Sequence, residues 1–465
     1  MAKLTFYGAT NGVTGSMYLI ESENSKVLLE CGMVQGRHED EKQNYEAFPF
    51  KAESLDAVIL SHAHIDHSGR LPKLIADGYK GKIFMTAPTL ELLGVMLKDA
   101  AFLELRDTEW ENKRRKRAGQ KLVEPLYTIE DVEQTLSQSI GENYKQEIAI
   151  TEDISICFND AGHILGSAIV EVFINENNKK RKLVFTGDLG NSCAALLKDP
   201  AIIEYADTLL LESTYGDRDH RPMDETLNEF EGIIQQAADK GGNVLIPSFA
   251  VGRTQEIIFR LGEMYHAGTL TQQAVYLDSP MAISATEIYQ RYQSTFSPED
   301  ADIMEQTKSD SLESFLPVLR FSRTTEESMA LNRIQSGAII IAGSGMCSGG
   351  RIRHHFKHNL WRKNTHVIIV GFQAAGTPGR AMVDGSNVFK LGGDEITIKA
   401  NVHTLGGFSA HASQSQLLSW VSQFQNKPKI YLIHGEDEAK QTLEQKLKSK
   451  NYQVSSPGYG NTIKV

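Results

Sequence analysis

Cysteine is scarce in this chain. Only Cys31, Cys157, Cys193 and Cys347 occur in 465 residues, too few and too scattered for a disulfide framework. That excludes the small secreted scaffolds that depend on one, and it points to reduced thiols in a cytoplasmic setting. Long apolar runs are missing as well: nothing approaches the roughly 18 uninterrupted apolar residues of a membrane span. No apolar stretch of the signal-peptide kind follows the first residues. No membrane partner is therefore expected, and the chain is expected to stay in the cytoplasm. Positive charge is in deficit, with 48 Lys and Arg against 59 Asp and Glu and a net charge of −11. A broad basic coat for non-specific nucleic-acid binding is excluded, although a local basic groove is not. Internal repeats and low-complexity linkers are absent too. What remains is an ordinary folded composition, 41% hydrophobic and 23% charged, at a length that calls for two or three units.

The first 210 residues repeat one pattern, a short apolar β-type run ending in a polar, glycine-containing turn. Such runs occupy 16–20, Lys26–Leu29, 57–60, 82–85, 154–158, 168–174, 182–185 and 208–211, with helical stretches mainly at 71–78 and 89–111. The middle alternates differently. Helix at 223–240, strand at 243–247, helix at 253–265, strand at Ala274–Leu277 and helix at 284–292 form a βαβ rhythm, the mark of a parallel sheet flanked by helices. Residues 296–335 show no clear period. The tail reads as strand at 396–401, helix at 413–424 and strand at 429–434.

The most informative segment is Ser61-His62-Ala63-His64-Ile65-Asp66-His67-Ser68-Gly69, directly after the apolar run Ala57-Val58-Ile59-Leu60. Imidazole and carboxylate are the non-thiol ligands that Zn²⁺ prefers. In extended chain, positions two apart face the same way, so His62 and His64 can share one metal. Asp66 and His67 follow the turn and can address a second. One segment cannot complete such a site, since a catalytic zinc takes three protein ligands and keeps a position open. Further candidates stand at other strand ends, each beside glycine: His163 in Gly162-His163, Asp188 in Thr186-Gly187-Asp188 and His434 in His434-Gly435.

The order His-x-His-x-Asp-His, a lone His, a lone Asp, Glu212 in Glu212-Ser213-Thr214, His411 in Ser409-Ala410-His411 and finally His434 resembles the β-CASP branch of the metallo-β-lactamase-fold nucleases. Ribonuclease J and the endonuclease subunit of the cleavage and polyadenylation complex are relatives in that branch. The likeness runs from Phe6-Tyr7-Gly8-Ala9 through Asp278-Ser279-Pro280-Met281 to His403-Thr404-Leu405-Gly406-Gly407. It implies an αββα metallo-β-lactamase sandwich interrupted by an inserted β-CASP domain with a mainly parallel sheet. The expected parts are residues 1–213, an insertion at 214–390 and a C-terminal completion at 391–465, with the active site in the cleft between the domains.

The resemblance also implies the roles. His62, His64 and His163 would hold one zinc, and Asp66, His67 and His434 a second, with Asp188 bridging the two. Asp66, Glu212 and His411 are the expected catalytic residues, His411 as general acid oriented by Glu212. Two zinc ions per chain would serve the hydrolysis of RNA, endonucleolytic or 5′-exonucleolytic, leaving 5′-phosphate and 3′-hydroxyl ends. His434 favours RNA over DNA, because histidine at that motif goes with RNA-processing members. Single-stranded or damaged DNA is the alternative substrate, and a catalytically silent RNA-binding scaffold the alternative of another class. No dinucleotide cofactor is expected, and the oligomeric state, a homodimer included, is left open. Ser409, Arg351 and Arg380 are expected to touch substrate. Glu30, where the family usually has Asp, and His403 are expected to support the ligands from behind. Two weaker signals are the five consecutive cations Lys113–Arg117 and the glycine-rich Gly343–Arg351 segment, which could each meet phosphate or serve only as a helix end and a packing turn.

Overall fold

The computed structural model describes every residue except 1, 37, 177, 178 and 375. The chain divides into two compact units. The first comprises Met1–Ser192, Asp199–Asp219 and His411–Val465, and the second Cys193–Lys198 and His220–Ala410.

The first unit is a sandwich of two seven-stranded sheets. In one, the strands run in the order Thr462–Lys464, Lys3–Phe6, Tyr18–Glu21, Lys26–Leu29, Ala57–Ile59, Lys82–Thr86 and Ser139–Glu142. In the other, the order is Gln453–Ser455, Lys429–Ile433, Thr208–Glu212, Lys179–Phe185, Ala168–Glu176, Ile154–Asp160 and Glu147–Ala149. Period-two alternation explains the layering. Leu4, Phe6, Tyr18, Ile20, Val27 and Leu29 meet Ile156, Phe158, Val170, Val172, Leu183 and Phe185 in one inner core. The alternate residues of the second sheet, Ile169, Val184, Leu209, Leu211, Ile430 and Leu432, form a second core with Leu417, Val421, Leu443 and Leu447. Those last four lie on the helices Gln414–Val421 and Asp437–Ser449. The helices Ala87–Arg117 and Ile129–Gln138 cover the first sheet. Ala87–Arg117 starts at the Thr86 cap with Pro88 in its first turn and runs past the 111 end read from the sequence, so the five cations are its last residues.

The second unit holds a six-stranded sheet in the order Leu319–Phe321, Ala274–Leu277, Ala338–Ala342, Val244–Pro247, His366–Ile369 and Asn401–Thr404, parallel throughout. Its central strands are buried along their whole length, as a sheet covered on both faces requires. The antiparallel ribbon Val388–Leu391 and Asp394–Thr397 packs its Phe389 and Ile396 into the same core as Phe356 and Met382. Residues 296–335 resolve into short elements with individual caps: Ser297 before Pro298–Gln306, Ser311 before Leu312–Phe315 and Thr324 before Thr325–Leu331.

The unit boundary differs from the expected 390/391. Asn401–Thr404 pairs with His366–Ile369 and so belongs to the second unit, which extends to Ala410. The single strand read over 396–401 is two strands in two different sheets.

Candidate metal centre

Strand direction assembles the site. Thr208–Glu212 lies parallel to both Lys179–Phe185 and Lys429–Ile433, with Glu212 opposite Ile433. The residues that follow the three carboxyl ends, Asp188, Glu212 itself and His434, therefore emerge at one edge, the usual place for a site in such a sheet. Ala57–Ile59 delivers the His62–His67 loop from the other sheet, and Ile154–Asp160 delivers His163. Close backbone approach keeps the loops together. A Cβ on Gly190 would stand 1.9 Å from the carbonyl oxygen of Gly162, and one on Gly32 would stand 1.7 Å from that of Asp66. Only glycine fits either place.

Four overlapping donor groups result among the described residues, two of which divide the expected ligands between them. His62, His64, His163 and Asp188 offer ligand atoms all within 4.8 Å of one another, as do Asp66, His67 and His434. In the first set, Nδ1 of His64 is 3.1 Å from Nε2 of both His62 and His163, and Oδ2 of Asp188 is 3.5 Å from each of the latter two. In the second, Nε2 of His67 is 3.2 Å from Nε2 of His434, and Asp66 Oδ2 is 3.5 Å from the latter. Asp188 reaches both sets, with Oδ2 3.4 Å from His67 Nε2 and Oδ1 3.5 Å from His434 Nδ1.

The donor chemistry fits a cation. Five imidazoles crowd their ring nitrogens together, and Asp188 Oδ1 is buried without a hydrogen bond. Such an orphaned carboxylate oxygen is costly unless it meets a positive charge. Burial pushes the His62 and His64 imidazoles below their ordinary range, which keeps their nitrogen lone pairs free for a metal. Burial also opposes charge on His67 and Asp188, but mutual attraction wins. The carboxylates of Asp188 and Asp66 hold His67 well above its usual range, while His434 and His67 hold Asp188 well below. Against the same burial penalty, His67 and His434 bring Asp66 down to about 2. These residues could hold divalent metal, displacing the His67 proton as they do so.

Supporting contacts are specific. Glu30 is fully buried. Its Oε1 accepts from the Ser61 N–H at 2.6 Å, and its Oε2 lies 2.5 Å from His67 Nδ1. The side chain thus spans from the start of the metal loop to one of its ligands. Ser61 Oγ lies 2.9 Å from His62 Nδ1, and Thr214 Oγ1 lies 3.1 Å from His434 Nδ1. Neither Ser61 nor Thr214 was singled out from the sequence. Their only signal there is position, immediately before His62 and two residues after Glu212. Ser167 Oγ accepts from the His163 N–H at 3.0 Å and fixes that loop.

His411 stands beside the donors. Its Nδ1 is 3.3 Å from Glu212 Oε2 and 3.9 Å from Asp188 Oδ2. Burial lowers its basicity, yet the carboxylates of Glu212 and Asp188 overcompensate and bring it to about 9. Glu212 is in turn held by the Leu189 N–H at 2.7 Å.

The remaining expected residues lie in the second unit with other partners. Arg351 donates to the buried Asp278 at 2.7 Å and to the Ser322 and Arg323 carbonyls. Arg380 pairs with Asp384 one turn on, at 2.8 Å. The ring of His403 lies parallel to that of His366, Nε2 to Nδ1 3.0 Å. Ser409 is buried, and its N–H bonds the Gly407 carbonyl. Within the Gly343–Arg351 segment the Gly349 N–H goes to Ser344 Oγ and the Cys347 N–H to the Ser344 carbonyl, while the Gly345 and Met346 carbonyls accept from Gln373 Nε2 and the Gly379 N–H.

Comparison with known proteins agrees with this architecture. Residues 10–111 match the metallo-beta-lactamase superfamily model, residues 254–382 the Beta-Casp domain, and residues 395–457 the Zn-dependent metallo-hydrolase RNA specificity domain. Ribonuclease TTHA0252 of Thermus thermophilus is 39% identical over 459 residues, covering 99% of each chain. Transcription termination factor FttA of Methanocaldococcus jannaschii is 32% identical over 446 residues, 94% of this chain and 67% of that protein. A solved structure from Enterococcus faecalis V583, described as a protein of unknown function, has a TM-score of 0.56 over 99% of both chains at 13% identity, a likeness of fold alone. The chain belongs to the stand-alone β-CASP ribonuclease family, a metallo-β-lactamase domain interrupted by a β-CASP domain.

Proposed function

We propose that the protein is a two-zinc ribonuclease that hydrolyses RNA phosphodiester bonds in RNA processing or decay, leaving 5′-phosphate and 3′-hydroxyl ends. The observation that carries this reading is the pair of donor sets sharing Asp188, with the His411–Glu212 pair against it. His62, His64 and His163 would hold one ion, Asp66, His67 and His434 the other, and Asp188 both. Bound there, two such ions would supply a hydroxide nucleophile near neutral pH and polarise the scissile phosphate.

The protein's own part is orientation and proton supply. Glu30, Ser61 and Thr214 fix the rings of His67, His62 and His434, so that the donor nitrogens do not wander between turnovers. Glu212 engages Nδ1 of His411 and leaves Nε2 to carry the proton. Paired with the Glu212 carboxylate, His411 delivers a proton to the leaving 3′ oxygen. Cleavage on the 3′-oxygen side places the phosphate on the downstream product.

RNA is preferred over DNA as substrate because of His434 and because the relative sharing 99% coverage carries the name ribonuclease. The test is labelled RNA and DNA of one sequence, given to the purified chain and to His64→Ala. RNA cleavage that vanishes in the variant is the expected result. DNA preference assigns the chemistry to DNA, and binding without products makes the protein a scaffold.

A further inference from the structure

The helix Ala87–Arg117 buries Leu92, Leu93, Met96, Leu97 and Ala101, and none of its later residues is fully buried. Its second half is nevertheless braced. Asn112 exchanges two hydrogen bonds with the backbone of Val123, Arg115 donates to the Lys121 carbonyl, and Glu104 accepts from the Leu126 N–H. These contacts all use one side of the helix and commit the opposite side to solvent.

That opposite side is dominated by cations and aromatic rings, with the exposed acids Asp107 and Glu109 at its margins. At about 100° per residue, Phe102, Arg106, Trp110, Lys113, Arg114 and Arg117 fall within roughly one third of the helix circumference, over about 22 Å of its length. All six are exposed, Phe102 at 60% and Trp110 at 65%. Arg114 lies over the Trp110 ring at 5.8 Å and pairs with Glu111. Arg106, Lys113 and Arg117 form no close ion pair among the described residues, although Asp99, two turns before Arg106 on the same face, feels the Arg106 charge. The adjoining stretch 113–121 carries six cations and no acid, on a chain whose net charge is −11. Cations at a helix C-terminus do complement its dipole, but that effect is confined to the last turn. It explains neither Arg106 nor two largely exposed aromatic rings.

We propose that this stripe is an RNA-docking surface, separate from the metal centre, that holds a single-stranded stretch of the substrate. The proposal rests on the reading of the protein as a ribonuclease. Alternating rings and cations match a polyanion whose bases present flat faces: guanidinium and ammonium groups meet phosphates, and Phe102 and Trp110 offer stacking platforms. A protein partner would be served by the apolar rings but would leave the excess of cations unexplained, whereas RNA uses both.

The test is binding of a fluorescent single-stranded RNA of about 30 nucleotides to the full chain in a His411→Ala background, read by anisotropy across a salt series. Replacing Arg106, Lys113 and Arg117 together by Gln is expected to weaken binding at least tenfold at low salt and to flatten the slope of log affinity against log salt by about 2. Trp110→Ala is expected to weaken binding about five- to thirtyfold with the slope retained, and Trp110→Phe to keep most of the affinity. All are surface changes, and an unchanged melting temperature confirms folding. Unaltered affinity and slope in the triple variant and in Trp110→Ala would overturn the proposal. So would variants that alter only self-association in sedimentation, which would assign the face to protein contact. Binding lost in the variants while the unsubstituted chain cleaves nothing would leave the stripe standing and remove the ribonuclease reading instead.

Discussion

Each of the two units buries an aspartate against histidine, Asp188 against four rings and Asp278 against one, and the two are solved in opposite ways. In the second unit, Asp278 is closed on itself. Its Oδ2 takes Ser328 Oγ and His355 Nε2, both at 2.6 Å, and its Oδ1 takes Arg351 at 2.7 Å. Every strong acceptor position is filled from within the fold, so the cluster is structural. In the first unit, Asp188 is surrounded by four imidazoles at 3.4–3.5 Å, yet its Oδ1 has no hydrogen bond. Buried histidine and aspartate therefore do not by themselves mark a metal site. The distinction lies in whether the carboxylate is satisfied by its neighbours or keeps an oxygen unpaired where several donors converge.

The sharpest way to break this contrast is to exchange the consequences. Asp188→Ala is expected to abolish metal uptake and lower turnover at least about a thousandfold, with little loss of thermal stability in the metal-free protein; metal analysis beside a cleavage assay checks it. Asp278→Ala is expected to do the reverse. It leaves Arg351 and His355 without their buried partner and costs about 3–5 kcal/mol in urea unfolding, with the metal content kept.

His411→Ala sharpens the contrast within the first unit, because His411 borders the donor sets without belonging to either. It should retain full metal content while turnover falls about a hundredfold or more. Unchanged turnover would remove its role as acid.

A pH series tests the closed cluster. Burial disfavours the Asp278 carboxylate, but His355, Ser328, Ser322 and Arg351 outweigh that penalty and depress it from 3.8 to about 2. A depressed carboxylate stabilises the fold above its unfolded value and loses that contribution as pH falls through its folded value. The stability gap between the natural chain and Asp278→Asn should therefore be constant above about pH 4 and close as pH falls toward 2. A gap that persists there contradicts the assignment.

The smallest expected effect is at Glu30. Glu30→Asp retracts the carboxylate from Ser61 or from His67, and zinc affinity should fall about tenfold in a chelator competition, with the fold intact.

Much of this was legible in the order of residues. The ligands follow apolar runs directly, as His62 follows Ala57–Ile59 and His434 follows Lys429–Ile433, so both strand and ligand announce themselves together. What was not legible depends on partners distant in the chain. Arg351 stands beside glycines in the sequence, where nothing shows that Asp278, 73 residues earlier, accepts from its guanidinium. The stretch 396–401 reads as one strand opening the C-terminal completion. In the fold its first half closes a ribbon, and Asn401 begins an edge strand beside His366. A short strand carries no sequence mark of the sheet it joins. His403 travels with that strand, which is why its ring meets His366.

The central claim is that the converging donors of the first unit hold a pair of metal ions. Zinc content of the purified full chain by mass spectrometry, compared with that of Asp188→Ala, tests it most directly. The account predicts about two zinc ions per chain in the first and close to none in the second. A chain that takes up no divalent ion, or an Asp188→Ala variant that keeps both, would contradict it.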